Sequence, residues 1–218
     1  MRVLLLFTVA VLGRALALPS WLSFSDTDNP SQEITANTEI TAAEARECMQ
    51  KAAWGRCEFY DCLEQKFACG PNGYTNKISK HFCTKIDADF DSFDTFGKRW
   101  LNQTSICLVS YMRTIYEQAA TSCLDIKNAG IEAILACNEG VVDGQDFCDF
   151  LDTNGAAYNN LMGLQEVQLM LGLRDVRVFR SMIEDAVTCG VGSLADRARS
   201  VGASISGFFS RVSSYMFS

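Results

Sequence analysis

Apolar positions along this chain recur mostly at steps of three and four, the spacing that gathers one face of an α-helix, and they seldom alternate as a half-buried strand requires. The stretch from Thr95 to Cys123 carries the pattern furthest. There Phe96, Trp100, Cys107, Leu108, Tyr111, Met112, Ile115, Ala119 and Cys123 form one stripe, which predicts a single long helix with two cysteines on its apolar face. At about 100° per residue Asn102 stands nearly opposite that stripe, so its side chain is expected in water. Upstream, Thr41-Ala42-Ala43-Glu44 has the form of a capping box: the threonine hydroxyl accepts from an orphan amide and the glutamate reaches back to the cap. A helix is predicted from there to about Ala53, with Cys48 turned inward and Gly55 as its stop.

A second short helix is expected over Cys57 to Phe67, followed by the turn Gly70-Pro71-Asn72-Gly73. Further helical patterns cover Ile126 to Asn138, Tyr158 to Leu171 and Leu173 to Cys189, separated at Gly140, Gly144, Gly155 and Gly172. With three prolines and few β-branched runs, the predicted fold class is all-α: a disulfide-rich helical domain over residues 41–189.

The two ends read differently. Arg2, the apolar run from Val3 to Leu12 and the small-residue pattern Ala15-Leu16-Ala17 mark residues 1–17 as a secretory signal peptide. The run is too short to be a membrane span, which needs about 20 apolar residues. Residues 18–40 are rich in Ser, Asp, Asn and Thr, include Pro19 and Pro30, and show no period, which predicts a flexible arm. Beyond Gly190 no cysteine occurs, and Leu194, Ala198, Val201, Ile205, Phe208, Val212 and Tyr215 recur at steps of four and three. Residues 190–218 therefore read as a C-terminal amphipathic helix that packs on its own domain or on a second copy as a non-covalent homodimer. Adsorption to a membrane surface is the lesser expectation, because Arg197, Arg199 and Arg211 against Asp196 leave a local charge of only +2.

Cysteine usage turns this helical outline into a compartment argument. An even set at 48, 57, 62, 69, 83, 107, 123, 137, 148 and 189 behind a leader implies a disulfide framework formed in an oxidising compartment. Spacing alone leaves the partners open. Zinc fits poorly, since no Cys-x-x-Cys pair occurs and His81 is the only histidine. Removing the leader with Arg2 and Arg14 takes the formal net charge from −7 to −9, which disfavours a nucleic-acid partner.

Few residues invite chemistry. Asn102-Gln103-Thr104 is the one Asn-x-Ser/Thr site free of a following proline, and it predicts an N-glycan on Asn102. Asp87, Asp89 and Asp91 have the opening spacing of a calcium loop, but Ser92 stands where the loop needs glycine and Lys98 where it needs a bidentate glutamate. They are expected to form a solvated acidic loop before a helix N-terminus. Asp143, Asp146, Asp149 and Asp152 read as a wet helix face. A serine or cysteine hydrolase would need His81 as its base, and with every cysteine oxidised no thiol nucleophile remains. The expectation is no enzyme, no catalytic residue, no metal and no cofactor, with His81 a structurally placed histidine at a helix end.

The cysteine ladder, with its long intervals Cys83 to Cys107, Cys107 to Cys123 and Cys123 to Cys137, together with Phe93-Asp94-Thr95-Phe96-Gly97-Lys98, resembles the stanniocalcins and their Phe-Asp-Thr-x-Gly-Lys motif over Cys48 to Cys189. The resemblance implies a secreted, glycosylated, helical hormone that binds an extracellular receptor or protein partner, classically in calcium and phosphate handling. The family's usual sequon, between the positions matching Cys62 and Cys69, is absent here, and so is its eleventh, protomer-linking cysteine. Glycosylation thus rests on Asn102 itself. Two other extracellular roles compete with the hormone reading: a secreted protease inhibitor, and a lipid-surface protein using the C-terminal helix.

Overall fold

The computed structural model describes residues 31–137 and 144–173, together with Asp175, Arg177, Val178, Ser181 and Cys189. The expected signal peptide, most of the expected arm and the expected C-terminal helix with Leu194, Val201, Ile205, Phe208 and Val212 lie outside the described residues, as does most of the helix expected from Leu173 to Cys189.

The fold is mostly helical. Helix α1 (Ala42–Ala53) starts at the expected capping box, with Thr41 Oγ1 accepting the Glu44 N–H at 3.2 Å and Glu44 Oε2 accepting the Thr41 N–H at 2.8 Å. It ends against Gly55, which adopts φ +62° and whose missing Cβ would lie 2.8 Å from the Ile106 nitrogen. Conformation and space both demand glycine there. Helix α2 (Phe59–Lys66) buries Phe59, Tyr60, Cys62 and Leu63. After the turn at Gly70–Gly73 the chain makes a six-residue π-helical stretch, Thr75–Lys80, that runs directly into α3 (His81–Asp89) and a 3-10 turn, Phe90–Ser92.

Helix α4 (Thr95–Tyr116) is the longest among the described residues, and α5 (Cys123–Cys137) returns along it. Helices α6 (Phe147–Leu161) and α7 (Leu164–Gly172) follow. The expected single helix from Thr95 to Cys123 is therefore corrected to two helices. It stops at Tyr116, Ala120–Ser122 becomes a strand (β2), and Ser122 Oγ accepts the Asp125 N–H at 3.0 Å to start α5. Cys107 and Cys123 do not share a helix. The arm is corrected at its C-terminal end: Glu33–Thr35 (β1) pairs antiparallel with β2, Ile34 opposite Thr121, and Ile34 packs on the core. Gly155, read as a break, sits inside α6, and the break falls at Met162-Gly163.

Among the described residues apolar side chains gather in two cores. The larger lies among α1, α2, the π-helical stretch, the second half of α4, α5 and α7, around Phe59, Leu63, Phe67, Met112, Ile126 and Ile131. The smaller joins the start of α4 to α6 through Phe93, Trp100, Leu101, Phe150 and Leu161. Trp100 stacks on Phe150 with ring centroids 4.5 Å apart, a contact whose quadrupole term adds to area burial.

Candidate functional sites on a disulfide-stapled scaffold

The cysteine pairing that spacing left open is set by the packing. Cys48–Cys62 ties α1 to α2, Cys57–Cys83 ties their linker to α3, and Cys69–Cys123 joins the loop after α2 to the head of α5. Cys107–Cys137 joins the middle of α4 to the end of α5, and Cys148–Cys189 fastens the start of α6 to the chain beyond α7. All ten cysteines are consumed. By the loop-entropy model the shortest loop, 14 residues, contributes about 3 kcal/mol and the longest, 54 residues, about 4 kcal/mol.

The Phe93–Lys98 segment works as a fastener between α4 and α6. Asp94 caps α4 by accepting the Gly97 N–H at 2.7 Å, and the same carboxylate oxygen accepts from Asn154 Nδ2 at 2.9 Å. Asn154 Oδ1 in turn accepts the Asp94 backbone N–H at 2.9 Å, so one buried amide closes a reciprocal pair. These bonds hold the Asp94 carboxyl below its ordinary range, the Gly97 amide contributing most and Asn154 next. Any Cβ on Gly97 would collide with the Asn154 amide. Phe93 fills the small core beside Phe150. The residue types of this segment thus have a packing reason: an aromatic anchor, a cap and a glycine that admits the asparagine.

His81 begins α3 and is tied to α7. Its Nε2 lies 3.0 Å from Glu166 Oε1, and Lys85 Nζ reaches the same oxygen at 2.8 Å. A carboxylate can only accept, so His81 Nε2 carries the hydrogen. Burial opposes the charged form of Glu166, but the bonds from Lys85 and His81 outweigh it and hold the carboxyl below its usual range. With its ring nitrogen committed to this tie, His81 serves as an interhelix contact.

The acidic residues are local devices. Asp87 and Asp89 belong to α3 and Asp91 to the 3-10 turn, which corrects the expected acidic loop, and Lys98 Nζ pairs with Asp91 at 2.8 Å. Asp146 and Asp149 form the capping box of α6, and Asp143 lies outside the described residues. Among the described residues no three His, Cys, Asp or Glu side chains gather as a metal site, and no helix is long and apolar enough to cross a membrane.

Two surface residues stand out on the scaffold. Asn102 is exposed on α4, as its helical phase requires. Trp54, which sequence reading passed over, is 76% exposed at the end of α1. Its turn is pinned to α4 by the Gly55 approach to Ile106 and by Ser105 Oγ donating to the Gly55 carbonyl at 2.7 Å, while the Cys57–Cys83 bond holds the other side. The only advance signal was a tryptophan directly before a helix-ending glycine. No family model, curated protein or solved structure matches the chain.

Proposed function

We propose that this chain is an exported, stanniocalcin-like protein hormone that acts by binding another extracellular protein, in the regulation of an ion such as calcium or phosphate. The signal-like leader supports export, and the paired cysteines suit an oxidising compartment. The observation that carries the binding reading is Trp54. A large amphipathic ring costs little entropy to immobilise when its backbone is already fixed, and tryptophan is enriched where binding energy concentrates. Here a glycine-locked turn, a side-chain hydrogen bond and a disulfide bond present it to solvent.

The test is displacement of labelled mature protein from cells of the source tissue. Saturable binding that unlabelled protein displaces is expected, with Trp54→Ala weaker by about 30-fold, the scale of a 2 kcal/mol contact. Trp54→Ala competing as well as the parent removes Trp54 from the interface. Non-saturable uptake refutes the binding reading, and stoichiometric inhibition of an extracellular protease would assign the inhibitor role in its place.

A further inference from the structure

The sequon at Asn102 sits in the middle of α4, a 22-residue helix, and a helix cannot present both of its reactive groups. Residues two apart on an α-helix stand about 200° apart, whereas in an extended chain they point the same way. The transferase uses the Asn102 amide as nucleophile, and its demand for Ser or Thr two residues on means that it also reads that hydroxyl. In the folded chain Asn102 is exposed while Thr104 Oγ1 has less than 1 Å² of accessible surface and no hydrogen-bond partner. The acceptor is open and its recognition handle is shut.

We propose that Asn102 is an N-glycosylation site open only before α4 folds, so that occupancy is decided as the chain enters the exporting compartment and ends when α4 closes onto α5. This rests on the export reading above. The fastening bond, Cys107–Cys137, cannot form until Cys137 has emerged, 30 residues after Cys107, which leaves an interval in which α4 is not yet held on α5 and, marginal as an isolated helix, opens to extended chain at residues 102–104. In the transfer, Asn102 Nδ2 attacks C1 of a sugar carried on a polyisoprenyl pyrophosphate. The new C–N bond forms as the C1–O bond breaks, the pyrophosphate leaves with that electron pair, and the amide proton passes to a base on the transferase. Once folded, the glycan projects from the exposed side of α4, and the Thr104 hydroxyl stays closed to solvent.

The test uses the whole mature chain, Leu18 to Ser218, made without glycan, with purified oligosaccharyltransferase and its lipid-linked donor, and occupancy of Asn102 read by peptide mass. One sample is native and disulfide-bonded, the other reduced and alkylated. The alkylated chain should be modified and the native chain at least about tenfold more slowly, because a site that must open first reacts in proportion to its open fraction. Equal rates overturn the timing. Failure of both samples overturns Asn102 as a site, and modification of an alkylated Thr104→Ala chain overturns the role of the hydroxyl. With purified components, a failure of export in cells would refute the export reading without touching these outcomes.

Discussion

Replacing Asn154 by Asp is the sharpest perturbation of the fastener between α4 and α6. The substitution keeps the shape of the side chain and the oxygen that accepts the Asp94 N–H at 2.9 Å. It exchanges Nδ2, which donates to Asp94 Oδ1 at 2.9 Å, for an oxygen, so two carboxylates face one another where a hydrogen bond stood. Losing a bond to a charged group costs about 1.5–3 kcal/mol. Repulsion adds to this, and because Asp94 is exposed it is screened to about 1 kcal/mol. The expected destabilisation at pH 7 is about 2.5–4 kcal/mol.

The pH dependence has a fixed sign. Two like charges sharing a site raise one pKa, so as pH falls one carboxyl takes up a proton, becomes a donor and restores the bond. The parent moves the other way. Its depressed Asp94 contributes stability that is present above the ordinary aspartate range near pH 4 and is lost as pH falls through the lower folded value. The gap between variant and parent therefore narrows from pH 7 to pH 4. Guanidinium unfolding followed by tryptophan fluorescence at both pH values measures it, with hydrogen exchange of α6 to localise the effect. A variant within about 0.5 kcal/mol of the parent at pH 7, the range of an inconsequential surface change, refutes the reasoning, as does a gap that widens in acid.

Three further outcomes follow from the packing. Gly130→Ala drives a methyl into the buried Tyr74 ring and should destabilise by about 1–3 kcal/mol in the same unfolding assay. Glu166→Gln removes the charge that His81 and Lys85 hold, costing about 1–3 kcal/mol at neutral pH in urea unfolding. Since the Glu166 carboxyl is depressed, that difference should be full above the usual glutamate range near pH 4.3 and vanish as pH falls through the folded value. With every cysteine paired internally, non-reducing gels should show a single chain, and any dimer seen by sedimentation should dissociate on dilution and be lost on truncation at Gly190.

Legibility in the sequence followed the range of the interactions. Helix starts set by neighbours three residues apart are readable, as Thr41 with Glu44 shows, but Ser122 with Asp125 carries similar chemistry behind a stripe that continues in phase through Cys123, and Asp146 with Asp149 is masked by the acidic repeat that reads as a wet helix face. The helical stretch from residue 74 to 90 also carries a signal, Tyr74, Ile78, Phe82, Ile86 and Phe90 at steps of four, overlaid by the calcium-loop spacing of its aspartates. The β1–β2 pairing left none, because three-residue strands are chosen by the partner across the fold. Disulfide partners and the Asn154–Asp94 pair join residues up to 60 positions apart, and no local pattern encodes such a contact. Exposure of Asn102 is legible from helical phase, but closure of the Thr104 hydroxyl is not, since that residue is half-buried and its oxygen depends on what packs beside α4.

That the chain is exported and closed by five internal disulfides is tested most directly by the mass of the protein collected from the medium of eukaryotic cells, deglycosylated and alkylated in denaturant before and after reduction. The chain should begin at Leu18, gain no alkyl group without reductant, and gain one on each of its 10 cysteines with it. Protein that stays in the cells with its leader intact, or secreted protein that is alkylated without reductant, contradicts it.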